Sequence, residues 1–123
     1  MEKEFIPYEK ALALKALGFD EPCFGHFLKK KFYLKSFDRQ GNEITLAPTF
    51  SQAFRWFREK YGLHSYIEPV LVEKANSPIK YDYVILEVSH QDDLEYNNLP
   101  YHTYEEAELA CLEKLIQIVK DGK

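Results

Sequence analysis

Ile79-Lys80-Tyr81-Asp82-Tyr83-Val84-Ile85-Leu86-Glu87-Val88 is the stretch that decides the fold. In an extended chain successive side chains point to opposite faces. Ile79, Tyr81, Tyr83 and Ile85 therefore share one face, and Val84, Leu86 and Val88 the other. Apolar residues on both faces predict a central strand. Just upstream, Asn76-Ser77-Pro78 reads as a turn, preceded by a second strand over Tyr66–Lys74. Pro69 lies inside that strand and has no N–H to donate, so the strand belongs at a sheet edge or is bulged there. Downstream, His90–Pro100 is polar and turn-rich, a loop with a short strand near Tyr96.

Helices flank this pair. Pro7 suits a first helical position, and Tyr8–Leu17 carries Leu12, Ala13, Ala16 and Leu17 on one face. Gly18 is placed as the left-handed stop, with Phe19 folding back on the last turn. Thr49-Phe50-Ser51-Gln52 fits a capping box. Phe50, Ala53, Phe54, Phe57 and Tyr61 then form an aromatic stripe at helical spacing, ended by Gly62. A second capping box, Thr103-Tyr104-Glu105-Glu106, opens the last helix. Its apolar face is Ala107, Cys111, Leu115, Ile118 and Val119, widened by Leu112 and Ile116. Between the first two helices, Lys31–Phe37 and Glu43–Ala47 read as a hairpin around residues 38–42, with Gly41 able to take positive φ. The order is α-β-β-α-β-β-α. It predicts a two-layer α+β fold, an antiparallel sheet of about four strands with helices packed on it.

The 123 residues fit one domain, 1–123. An apolar fraction of 46% excludes a disordered chain, and five Gly with two Cys exclude collagen-like and disulfide-rich scaffolds. No apolar run reaches the ~20 residues that span a bilayer, so no membrane partner is expected. The N-terminal Met1-Glu2-Lys3-Glu4 does not read as an export signal. The two cysteines are then expected to be reduced thiols in the cytoplasm.

Three stretches carry a family resemblance: Leu17–Cys23, Ala47–Tyr61 and Thr103–Leu112. Together, about a quarter of the chain, they resemble a family of small uncharacterised proteins from gut bacteria of the Bacteroides group and their prophages. The resemblance implies a cytoplasmic bacterial or phage-encoded accessory or regulatory protein. It implies no activity, cofactor or catalytic residue.

The net charge of −4 conceals a polarity along the chain. Residues 29–60 hold eight bases against three acids, +5, while residues 61–123 are −7. One reading is a basic surface for phosphate backbones, built from Lys29, Lys30, Lys31, Lys35, Arg39, Arg55 and Arg58, with Tyr33, Phe37 or Trp56 stacking on bases. Another is a basic patch that meets an acidic one, within the fold or in a dimer. Trp56 lies off the aromatic stripe beside Arg55, the composition of an interface hot spot, or else it covers the core edge. Cys23 and His26 have the C-x-x-H spacing of half a zinc site, but no second pair exists. Cys111 lies on a buried helix face where nothing lowers its pKa. Asp92, Asp93 and Glu95 cluster in the polar loop and with His90 could form a hydrolytic or metal-binding group, though any solvated loop contains such residues. No phosphate loop, dinucleotide fingerprint or hydrolase motif is present.

The leading expectation is a non-enzymatic protein–protein interaction or regulatory module, with no cofactor and no metal. Its contact surface is either the Pro69 edge strand or the Arg55–Trp56 flank, used for self-association or for a protein partner. The alternatives are a nucleic-acid binder using 29–60 and a small enzyme at the 90–95 loop.

Overall fold

A computed structural model describes residues 2–70, 79–87 and 100–122, and the main chain of residues 92–96. The elements in chain order are α1 (Tyr8–Ala16), β1 (Gly25–Leu28), β2 (Lys31–Tyr33), β3 (Ile44–Ala47), α2 (Phe50–Tyr61), β4 (Leu63–Val70), β5 (Lys80–Glu87), β6 (Asp92–Tyr96) and α3 (Tyr104–Asp121). The fold is α+β, with every strand pair antiparallel.

The strands form two sheets of three, in the orders β2-β1-β3 and β4-β5-β6. In the second sheet β5 is central and β4 an edge, with Pro69 opposite Tyr81. The part of the predicted strand beyond Val70 and the Asn76-Ser77-Pro78 turn lie outside the described residues. A strand near Tyr96 is present as β6.

The first sheet departs from the expected hairpin. The strands on either side of residues 38–42 do not pair with each other; both pair with β1. β1 turns into β2 through Lys29 and Lys30, which both hold positive φ, 52° and 72°. That is the type I′ geometry of a two-residue hairpin loop, which favours Asn and Gly. Gly41 does not take positive φ among the described residues; Gly18 and Gly62 do, where helices α1 and α2 stop.

The two edges of this sheet are finished differently. In antiparallel pairs every second residue turns its N–H and C=O outward. On β3 those groups are satisfied within the chain. The Leu46 N–H donates to Gln40 Oε1 at 2.9 Å, the Ile44 carbonyl accepts from Lys15 Nζ at 3.1 Å, and the Ile6 N–H donates to the Pro48 carbonyl at 3.0 Å. Gln40 also donates to the Phe19 carbonyl, and its own N–H bonds Asp20. On β2 the register places Phe32 as the outward residue, opposite Phe27 in a non-bonded pair. Among the described residues its main-chain groups meet no partner outside the sheet.

One apolar core joins the sheets to the helices. α1 buries Ala11 and Leu14 rather than the predicted face, since Leu12 and Ala16 are exposed. Phe19 does fold back: its N–H bonds the Leu14 carbonyl at 2.9 Å and its ring is buried. α2 buries Phe50, Ala53, Trp56 and Phe57. α3 lays Ala107, Cys111, Leu112, Leu115, Ile116 and Val119 against β4, β5 and the other helices. Its capping box is complete in both directions, at 3.0 Å each way. At α2 only half the box forms. Thr49 Oγ1 accepts from Gln52, but the Gln52 amide donates to the Pro22 carbonyl at 2.9 Å and so ties the preceding loop to the helix. Gly25 is required by close approach, because a Cβ there would lie 2.8 Å from the Phe32 ring and 3.0 Å from Phe5.

Candidate interaction surface

The basic residues fall on different elements. Lys29, Lys30, Lys31 and Lys35 are exposed on or beside the β1–β2 hairpin, and Arg39 lies exposed in the segment that leads to β3. None of these five has a carboxylate within ion-pair distance among the described residues. Arg55 on α2 is exposed but engaged: Nη2 lies 3.9 Å from Glu21 and Nε 3.9 Å from Glu59. Arg58 is exposed on α2, and its carbonyl accepts the Gly62 N–H that ends the helix.

Of the two places open to Trp56, an exposed contact or the core edge, its burial fits the second. The indole is 5% exposed, held edge-on by Phe19, Phe57 and Tyr61, with the Lys60 ammonium 5.1 Å from its ring centre. It covers the core edge, so it has no face left for a partner or a base. Phe37 is likewise packed, edge-on to His26 at 4.4 Å. Tyr33 stacks on the same imidazole at 5.4 Å and 16°, with Lys31 Nζ 5.7 Å over its ring.

His26 organises the surface residues that composition did not single out. Between the bonded pairs His26/Tyr33 and Cys23/Phe37, β1 has two residues where the facing strand has three. The extra residue makes a bulge over Leu34-Lys35-Ser36. His26 fills it: Nδ1–H donates to the Lys35 carbonyl at 2.9 Å. This hydrogen bond assigns the proton to Nδ1, since a carbonyl only accepts. The imidazole is thus a buried brace, and among the described residues it does not gather with other possible ligands into a group of three that could hold a metal. The bulge breaks the alternation of β2 and leaves Leu34 57% exposed beside Phe24 at 73%. Phe24, Leu34, Lys35 and Phe5 line a shallow groove of about 510 Å³. A large apolar pair this exposed marks a contact surface more than it does an ordinary solvated hairpin.

His90 lies outside the described residues, and the carboxyl positions Asp92, Asp93 and Glu95 fall on β6 rather than in a loop. Among the described residues no three His, Cys, Asp or Glu side chains gather where they could hold a metal. Among the described residues no helix is long and apolar enough to cross a membrane.

Both thiols are buried and unpaired to each other. Burial pushes the Cys23 thiol up to about 12, with the Glu21 charge adding to it and a Gln52 hydrogen bond opposing it. Burial also pushes Cys111 up to about 12, opposed by a hydrogen bond with Ser65 and reinforced by Glu108. A thiol is nucleophilic only as the thiolate. Neither is therefore expected to react with Ellman's reagent in the folded protein near pH 8, while both react in denaturant. The folded pKa exceeds the unfolded value of about 9. The neutral thiols thus contribute fully below pH ~9, and stability is expected to fall as pH rises from there towards 12.

The missed residues had one signal in the sequence. Phe32-Tyr33-Leu34 is three consecutive apolar residues in a strand, and a period of two cannot bury them all. Compared with known proteins, the chain matches no family model, no curated protein and no solved structure.

Proposed function

We propose that the protein is a non-enzymatic interaction module whose contact face is the bulged end of the β1–β2 hairpin. The observation that carries this reading is the exposed pair Phe24 and Leu34 beside lysines that have no ion-pair partner among the described residues. Apolar anchors inside a charged rim are the anatomy of a protein contact. The accessory role in bacteria or phages, and the cytoplasmic setting, that the family resemblance implies belong to the same proposal. Of the two surfaces expected from sequence, the Arg55–Trp56 flank is the weaker, with its indole buried and its guanidinium engaged.

Nucleic acid is the second reading, supported by Lys29–Lys31 and Lys35 but not by free stacking faces. Tyr33 is already stacked, Phe37 and Trp56 are packed, and Arg55 has carboxylate partners. The small-enzyme reading rests on the 90–95 stretch, whose side chains lie outside the described residues.

Affinity capture with the whole chain and with Phe24→Ser/Leu34→Ser separates these readings. The substitutions fall on exposed side chains, so stability should change by no more than about 0.5 kcal/mol each. A protein held by the native chain and lost by the variant is the expected result. Equal retention by both would overturn this face. Salt-sensitive retention of labelled nucleic acid by both, with no protein partner, would favour the second reading.

A further inference from the structure

The hairpin that carries the contact face also carries an unbalanced charge. Between Lys29 and Arg39 the chain holds five bases and one acid, Asp38, in a protein of net charge −4. All five bases are exposed, and among the described residues none has a carboxylate within ion-pair distance. Crowded like charges repel one another, and a ligand that brings carboxylates relieves that repulsion. Because the rest of the chain is net acidic, an acidic ligand is also steered to this patch and away from the remaining surface.

The apolar half of the face is the groove of about 510 Å³ beside the hairpin. Phe24 and Leu34 stand exposed on its walls, and the buried Phe5, tilted against Phe32 at 5.0 Å, lies beneath them. Its charged residues are Lys35 and Glu4. The turn lysines follow along β2, with Lys30 about four residues of extended chain, roughly 13 Å, from Leu34. Lysine carries its charge on a flexible four-carbon stem, so lysines along an edge strand can turn to one ligand. Single exposed ion pairs add little. Several of them beside a desolvated apolar anchor set the orientation of a partner and its rate of encounter.

We propose that this face takes an acidic segment of another protein. One large apolar side chain of that segment seats between Phe24 and Leu34, and carboxylates within about four residues of it meet Lys35 and the lysines of the turn. The inference rests on the reading of the hairpin as a protein contact and adds the chemistry of the partner. The turn itself supports a binding role for its lysines. Lys29 and Lys30 hold φ of 52° and 72°, where Asn-Gly would fit without strain, and strain of this kind concentrates at functional sites. A protein segment fits better than single-stranded nucleic acid. Bases stack on a series of open aromatic faces, whereas Tyr33 and Phe37 are packed on His26 and one wall of the groove is a leucine.

Selection from a displayed library of random twelve-residue peptides tests the proposal on the full chain. Peptides retained by the native protein should carry one large apolar residue with two or more Asp or Glu within four positions of it. Fluorescence anisotropy with the enriched peptide should show binding weakened about thirtyfold or more by Phe24→Ser/Leu34→Ser and about tenfold or more by Lys31→Glu/Lys35→Glu. Raising the salt should weaken binding to the native chain, a readout that needs no variant to fold. Amide replacements of the peptide's own carboxylates should weaken it likewise. Enriched peptides that are neutral or basic but still need Phe24 and Leu34 overturn the acidic partner and leave the contact face standing. Enrichment that is equal on the native chain and the Phe24/Leu34 variant, or none on either, overturns both. Salt-sensitive retention of labelled single-stranded nucleic acid, lost in the lysine variant and kept in the Phe24/Leu34 variant, assigns the lysines to phosphate instead. Light scattering that shows the native chain associating, with the selected peptide dissolving that association, makes a second copy the occupant and overturns a foreign one.

Discussion

Trp56→Ala is expected to lower the unfolding free energy by about 3–5 kcal/mol, the range for truncating a buried large aromatic. That is a large part of the total stability of a typical domain, about 5–15 kcal/mol. The indole meets Phe19 at 5.4 Å, Phe57 at 5.1 Å and Tyr61 at 5.4 Å, so its removal opens a cavity among rings from the loop after α1 and from α2 itself. Phe19 is fixed by its bond to Leu14 and Phe57 is fully buried, so neither is free to collapse into the space. Urea denaturation followed by circular dichroism measures the loss. Trp56→Phe keeps most of the volume and should cost markedly less. An unchanged urea midpoint for Trp56→Ala would mean that the indole is a surface residue after all.

Lys29→Asn/Lys30→Gly is expected to do the opposite and raise stability by about 1–2 kcal/mol. A left-handed conformation costs an ordinary L-residue roughly 1–2 kcal/mol. Two adjacent lysines bear that cost here, at φ 52° and 72°. Asn and Gly are the residues the turn favours. The greater freedom of Gly in the unfolded chain offsets part of the gain. Calorimetry should show the Tm rising by roughly 5 °C. A lower Tm would show that the lysine side chains support the turn by contacts that outweigh its strain.

Helices were the most legible part of the sequence because their ends carry local chemistry. Thr103 with Glu106 and Thr49 with Gln52 announced two starts, and Gly18 and Gly62 two stops. The central place of β5 followed from apolar residues on both its faces. β1 escaped because Gly25-His26-Phe27-Leu28 is short and its turn is Lys-Lys, which carries no turn signal. Its absence forced the flanking strands into a false pair. Trp56 was read as flanking because Phe50, Phe54 and Phe57 gave a complete stripe without it. The helix instead packs on a slanted line through Phe50, Ala53, Trp56 and Phe57 and leaves Phe54 half-buried. The contact face was least legible. Leu34 is exposed because of a bulge, and the bulge depends on a His26 side chain bonding a carbonyl nine residues away. No local pattern encodes that.

Gln40 bears on how the first sheet tolerates change. Its side chain and N–H join three segments: Phe19-Asp20, through a carbonyl and a carboxylate, the Leu46 amide and its own loop. In polymer terms this is a reversible crosslink, closing a loop of about twenty residues whose ends would otherwise wander at a cost of ~(3/2)RT ln n. Lys15 closes a second, overlapping loop through the Gly41 and Ile44 carbonyls, at 2.6 and 3.1 Å. Two overlapping closures share one entropy cost, so the second forms more easily once the first is made. The β3 rim is therefore redundantly fastened. Loss of either side chain weakens it by a graded amount, while loss of both releases the whole 38–44 segment at once.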